Sequence, residues 1–138
     1  MTSGTQPTPV GASRAAEADT AAGDRNEVRL VGTVSGAVER RNLPSGDELA
    51  QLRVVVRRAR GGADTVPVQF GPAPAAGQRR RGHAIGRREL ARALRLSDGA
   101  RIEVTGRLRR RWWAVDGARH SRVEVAAATL VALPAQQQ

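Results

Sequence analysis

The stretch Gly99–Trp113, GARIEVTGRLRRRWW, alternates apolar and charged residues with a period of two. This period is typical of a β-strand with one buried and one exposed face. The side predicted to face a core carries Ile102, Val104, Gly106 and Leu108. The other side carries Arg107, Arg109, Arg111 and Trp113. The strand therefore constrains the fold to a sheet with a strongly cationic surface.

A row of guanidinium groups that ends in an indole ring suits single-stranded nucleic acid. The cations neutralise phosphates, and the flat ring stacks on an unstacked base. The alternative is a solvated basic strand whose two tryptophans belong to the core, because Trp is highly buried on average. Trp112 has the parity of the core residues.

The charge balance also indicates a polyanionic partner. The 138 residues include 23 basic residues, all Arg, against 13 acidic ones, for a net charge of +10. Arg contacts phosphates through two N–H groups and stacks on bases. The absence of Cys excludes disulfides and thiolate metal sites. With neither a signal peptide nor a long apolar run, we expect a cytoplasmic, nucleoid-associated protein without a membrane segment.

The rest of the chain predicts four further strands and one helix. Residues 1–24 have the composition of a disordered tail. The pattern then predicts a long first strand over 26–38 with a bend or bulge at Gly32 and Gly36, and strands at Leu49–Arg57, Thr65–Phe70 and Arg122–Leu133. Pro67 lacks an N–H donor, so we expect it at a sheet edge. A loop over Gly71–Arg88 and a short helix over Arg88–Leu96 precede the central strand.

Three strands, a helix and two strands is the order of an OB-fold. We therefore predict an all-β protein, a five-stranded OB-fold barrel with one short helix between strands 3 and 4. The barrel is expected to span residues 25–133, with a C-terminal tail over 134–138. Asp116-Gly117 predicts a two-residue hairpin turn between the last two strands.

Several motifs occur in order at compatible spacing, and together they resemble the bacterial single-stranded-DNA-binding protein family. They are the Asn26–Gly32 stretch N-x-V-x-L-x-G, Glu39-x-Arg41 before Pro44-Ser-Gly46, Phe70-Gly71, the helical Leu90-Ala91 with Leu94, the Gly106–Trp113 stretch G-x-L-x-x-R-x-W, and Glu124-Val125. The resemblance covers about residues 25–133.

The resemblance implies a homotetramer of OB barrels that wraps single-stranded DNA without sequence preference. It implies base stacking by Phe70 and Trp113 and places Arg109 and Arg111 beside the DNA. Two departures point to a divergent or accessory member. Arg57–Arg60 and Asp64-Thr65 occupy regions where the family has aromatic residues, and Leu133–Gln138 lacks the family's acidic tip.

The remaining candidates allow two interpretations each. Arg29, Arg53, Arg57 and Arg58 face either solvent or DNA in the first hairpin. The block Arg79, Arg80 and Arg81 is either a flexible phosphate clamp or a solvated charge run. His83 and His120 have no ligand-spaced partners, and no nucleophile or phosphate-loop motif is present. We therefore expect no metal, no cofactor and no enzymatic activity.

Two functions from different classes remain open. The first is single-stranded DNA binding in replication, recombination or repair, through Arg–phosphate contacts and base stacking. The alternative is an OB-fold protein-interaction subunit of a primosome or of a mixed single-stranded-DNA-binding assembly, with replication or repair proteins as partners. RNA is a further candidate ligand, since OB-folds also bind it.

Overall fold

The computed structural model describes residues 23–74 and 84–135. Five predictions lie partly or wholly outside these ranges. They concern the N-terminal tail up to residue 22, the middle of the loop over Gly71–Arg88, the phosphate clamp Arg79–Arg81, His83, and the last residues of the C-terminal tail.

The described chain contains six strands and one helix, and its helix is too short and too polar to cross a membrane. In chain order these are β1 (Val28–Val34), β2 (Glu39–Asn42), β3 (Asp47–Arg57), β4 (Ala63–Pro74), α1 (Ala84–Leu94), β5 (Arg101–Val115) and β6 (Ala118–Ala132).

The predicted first strand is divided into β1 and β2. The chain bends at Gly36, where φ is +79°. The side chain of Asp98 supports the bend by accepting a hydrogen bond from the Gly36 N–H at 2.7 Å. β1 and β2 both pair with β3, so together they occupy the position of one OB-fold strand.

The predicted loop over Gly71–Arg88 is too long at both ends. β4 continues to Pro74, because Ala73 and Pro74 pair with Glu48 and Asp47 across the sheet. The helix begins at Ala84 and ends at Leu94, about two residues before the predicted end. The edge position predicted for Pro67 is confirmed, since the pairing of β4 with β6 begins at the next residue, Val68.

The strand pairings form a closed ring. β1 pairs with β3 on one side and with β5 on the other, while β3 pairs with β4 and β5 pairs with β6. β4 and β6 complete the ring as the parallel pair, through Val68–Phe70 and Val125–Ala127. This order, with the helix between the third and fourth barrel strands, is that of the predicted OB-fold.

The ring encloses a core built mainly from β-branched and aliphatic residues. Val54, Val68, Ile102 and Val104 are 1% exposed or less. α1 closes the barrel by inserting Leu90 and Ala93, both 0% exposed, into this core. The pattern of alternating buried residues in β1, β3 and the first half of β5 follows the sequence prediction.

Gly106 stands where β5 and β6 approach each other too closely for a side chain. A Cβ atom at this position would lie 2.2 Å from the carbonyl oxygen of Ala126 and 2.9 Å from the Cα of Ala127. Both atoms belong to the backbone, so no rotamer change could relieve the contact. The pairing register also shifts between Thr105 and Gly106, which places an irregularity at the same point.

We expect Gly106→Ala to destabilise the protein by at least the roughly 1–3 kcal/mol that overpacking costs. Gly86→Ala is the matched control. A Cβ there would lie 3.9 Å from the Cβ of Ala73, an ordinary contact. The control should be neutral or stabilise α1 by up to about 1 kcal/mol. Urea denaturation measures both changes, and equal stability of the two variants would contradict the close approach.

Candidate nucleic-acid interface

Beyond Gly106 the β5–β6 hairpin leaves the barrel as a two-stranded projection. We call residues 107–124 the arm. Its turn is the predicted one, with φ of +50° at Asp116 and +80° at Gly117, which matches the twist of a hairpin. Leu108 is 46% exposed in the arm. The prediction that it faces the core is therefore wrong, because β5 passes the rim of the barrel here, while Val125 opposite it on β6 is still in the core.

Asn26 anchors the base of the arm to the barrel. Its side-chain amide donates to the carbonyl of Leu108, and its side-chain oxygen accepts the N–H of Leu108, both at 2.8 Å. These two bonds extend the β1–β5 ladder, which otherwise ends at Val28 and Gly106. The Asn that opens the first-strand motif thus has a structural role in orienting the arm.

One side of the arm, which we call the Trp113 face, has the composition that the alternation predicted. Residues directly opposite each other in a hairpin share a face. The face therefore contains Arg107, Arg109, Arg111 and Trp113 from β5, with Glu124, Arg122 and His120 opposite the last three. Trp113 is 39% exposed, and its ring stacks on His120 with centroids 5.8 Å apart.

A buried carboxylate orders the arginines at the base of the Trp113 face. Glu124 is 1% exposed. Its Oε1 accepts a hydrogen bond from Arg109 Nη2 at 3.2 Å, and its Oε2 lies 3.8 Å from Arg122 Nη2. One negative charge therefore holds two guanidinium groups that remain 30% and 45% exposed. The face keeps a net positive charge.

The Trp113 face continues into a cleft of about 170 Å³ on the outer side of β3 and β4. Arg122 lines this cleft together with Arg53, Gln51, Pro67 and Glu39. Among the arginines predicted for the first hairpin, Arg53 therefore lines the same cleft as Arg122 of the arm. OB-folds commonly bind oligonucleotides on the face formed by these two strands and the last hairpin.

Trp112 lies on the opposite side of the arm and is 50% exposed. The interpretation in which both tryptophans belong to the core is therefore wrong. Trp112 does have core parity, but the strand has left the barrel before it reaches Trp112.

Phe70 lies in the core, where it is 1% exposed and next to Ala50 and Ala127 across the sheet. A ring in this position presents no face to a base. The stacking role predicted for Phe70 is therefore contradicted in this structure. The F-G motif does not close its strand, because β4 continues to Pro74. Phe70 is the last residue of the β4–β6 pairing, and its ring points into the core.

The other predicted arginines are dispersed. Arg29 lies on the outer face of β1 and donates two hydrogen bonds to Glu103, at 3.0 and 3.2 Å. Arg57 lines a separate groove of about 480 Å³ between β1 and β3, together with Arg101.

Arg58, at the β3–β4 turn, donates two hydrogen bonds to Asp64. These bonds, and then the positive charge of Arg58, lower the pKa of Asp64. The same bonds, and then the negative charge of Asp64, raise the pKa of Arg58. The pair therefore stays ionised at neutral pH.

The sequence analysis did not include Trp112, Arg119, His120 and Arg122 among the residues of the candidate interface. The turn motif nevertheless allows their positions to be predicted. A two-residue turn at Asp116-Gly117 fixes the hairpin register, so Trp113 must stand opposite His120 and Arg109 opposite Glu124. Among the described residues no cluster of His, Cys, Asp or Glu could hold a metal.

Two solved structures resemble this fold. The N-terminal domain of PriB from Thermoanaerobacter tencongensis, described as dimeric, matches with a TM-score of 0.56 and 20% identity, covering 79% of this chain and 97% of that one. The Plasmodium falciparum SSB in complex with ssDNA matches with a TM-score of 0.58 and 18% identity, covering 83% and 100%. No protein-family model and no curated protein matches the sequence.

The chain therefore has an OB-fold, the fold that it shares with these two structures. The resemblance that the motifs predicted is confirmed at the level of the fold.

We expect Phe70→Leu to lower stability by roughly 1–2 kcal/mol, less than the ~3–5 kcal/mol typical of Phe→Ala in a core. The folded variant should bind an oligothymidylate as tightly as the unaltered protein, because the ring is enclosed. Denaturant unfolding and fluorescence anisotropy measure the two quantities. Weaker binding at unchanged stability would restore the stacking role.

Proposed function

We propose that this protein binds single-stranded DNA without strong sequence preference, through phosphate contacts to Arg and base stacking on Trp113. The observation that carries the proposal is the Trp113 face. It combines a 39% exposed indole with a row of arginines and continues into the cleft beside Arg53. A stacked base shows only its ring face, so the contact is sequence-tolerant.

The electrostatics of the face suit a flexible polyanion. Arg111 and Arg122 stand directly opposite each other, and like charges in that position are unfavourable in the free protein. A phosphate placed between them would relieve the repulsion. Glu124 neutralises only part of the charge at the base of the arm.

We further propose that the protein acts in replication, recombination or repair. We expect it to be a homotetramer in the cytoplasm, associated with the nucleoid, and to catalyse no reaction.

The protein-interaction alternative has its own structural support. With Phe70 buried, the stacking surface is smaller than the motifs implied. Association that survives nuclease treatment would favour this alternative.

We expect Trp113→Ala to weaken binding to a labelled oligothymidylate by about 1–3 kcal/mol, the value of one base–aromatic stack. Trp113→Phe should retain most of the affinity. Val131→Ala, an exposed apolar truncation on the barrel, is the control and should bind normally. Fluorescence anisotropy measures all three. Unchanged affinity of Trp113→Ala would refute stacking at this residue.

Arg111→Ala should reduce the slope of log K against log salt by about 0.7 for each phosphate that the variant no longer neutralises. Arg95→Ala removes the same charge from the end of α1, away from the arm, and should change the slope less. Titrations at two or more salt concentrations, with duplex of equal length in parallel, give the comparison. Equal binding of duplex and single strand, abolished by salt, would reduce the interaction to unspecific charge attraction.

A further inference from the structure

The arm carries a second exposed indole, and it faces away from Trp113. Neighbouring residues of a strand point to opposite sides of the sheet, so Trp112 and Trp113 cannot serve the same surface. The side with Trp112, which we call the Trp112 face, also holds Leu108 and Arg110, with Ser121 and Val123 on the facing strand. Trp112 is the more exposed of the two indoles, at 50% against 39%.

Two guanidinium groups border the Trp112 ring. The Cζ of Arg119 lies 4.5 Å from the ring centroid and that of Arg110 lies 5.5 Å from it. Both are within the range of cation–π attraction. Arg110 Nη1 also donates a hydrogen bond to the hydroxyl of Ser121, at 3.5 Å. The ring is thus held in place while half of the residue stays accessible.

The charge on this face points to an anionic occupant. Its described residues include the two arginines beside Trp112 and no carboxylate, whereas the Trp113 face includes Glu124. Leu108 and Val123 add exposed apolar surface nearer the barrel. Both guanidinium groups lie over the ring in the free protein, so a base would stack on the indole by displacing one of them. The displaced cation could then contact a flanking phosphate, and a π-face beside cations is the combination that single-stranded nucleic acid uses.

We propose that Trp112, with Arg110 and Arg119, is a second base-stacking site, so that one DNA strand contacts both sides of the arm. This inference rests on the proposed function. The arm is only two strands wide, with roughly 5 Å between neighbouring strands, and its strands lose their other ladder partners near Val28 and Val68. The edges of the arm therefore give a short path from one face to the other.

The protein contains two tryptophans, which allows each site to be observed alone. Trp113→Phe leaves Trp112 as the single tryptophan, and Trp112→Phe leaves Trp113. Each protein is titrated with oligothymidylates of increasing length while indole fluorescence is recorded. We expect quenching of Trp113 by the short oligonucleotides and quenching of Trp112 to begin at a greater length, when the strand reaches the second face.

Affinity provides the second readout. Trp112→Ala should leave binding of the shortest bound oligonucleotide unchanged and weaken binding of longer ones by about 5- to 150-fold, the equivalent of one stack. Trp112→Phe should restore the longer-strand affinity. Thermal unfolding of each variant checks that the arm remains folded, and Val131→Ala again serves as the distant apolar control.

The outcomes separate this inference from the proposed function. Weaker binding by Trp113→Ala, with no change for Trp112→Ala at any length, would overturn the second site and leave the proposed function intact. Quenching of Trp112 without any drop in the affinity of Trp112→Ala would also overturn it, as a bystander effect. Failure of both tryptophans to respond would refute the proposed function itself. Binding of another protein, abolished by Trp112→Ala, would assign the face to a protein partner and overturn the inference.

Discussion

Closure of the sheet is the constraint on which the rest of this structure depends. β1 must pair with β3 and β5 at once, and β6 must reach β4 in parallel. Closure brings the backbones of β5 and β6 close together where their pairing register shifts. Gly106 meets this demand, because its Cα lies against the backbone of Ala126 and Ala127. The small core of Val, Leu and Ile then fills the enclosed space, and α1 covers one end.

The arm follows from the same constraint. β5 and β6 are 15 residues each, longer than the barrel needs, so their outer halves leave the ring together. Outside the ring the hairpin is no longer covered by the core, so side chains on both of its sides are exposed. Asn26 holds the base of the arm against the start of β1 through two hydrogen bonds to Leu108. Glu124 acts within the arm, where it orders the guanidinium groups of Arg109 and Arg122.

Burial of Phe70 changes how the surface can work. With that ring in the core, the exposed aromatic side chains of the described chain are the two tryptophans and His120, all in the arm. Recognition would then depend on an arginine-rich hairpin more than on an aromatic platform across the barrel. Such a surface draws more of its binding free energy from phosphate neutralisation, which makes its affinity strongly salt-dependent.

Local pattern determined much of this protein from the sequence alone. Alternation in β3 and β5, the turn at Asp116-Gly117 and the order of elements predicted the OB-fold and the grouping of Arg107, Arg109, Arg111 and Trp113, because these depend on neighbours within a strand. Tertiary structure alone decided where the barrel ends. That boundary exposes Leu108 and Trp112 despite their core parity, and strand placement in the closed sheet encloses Phe70. Parity assigns a residue to a side, but only the packed barrel determines whether that side is covered.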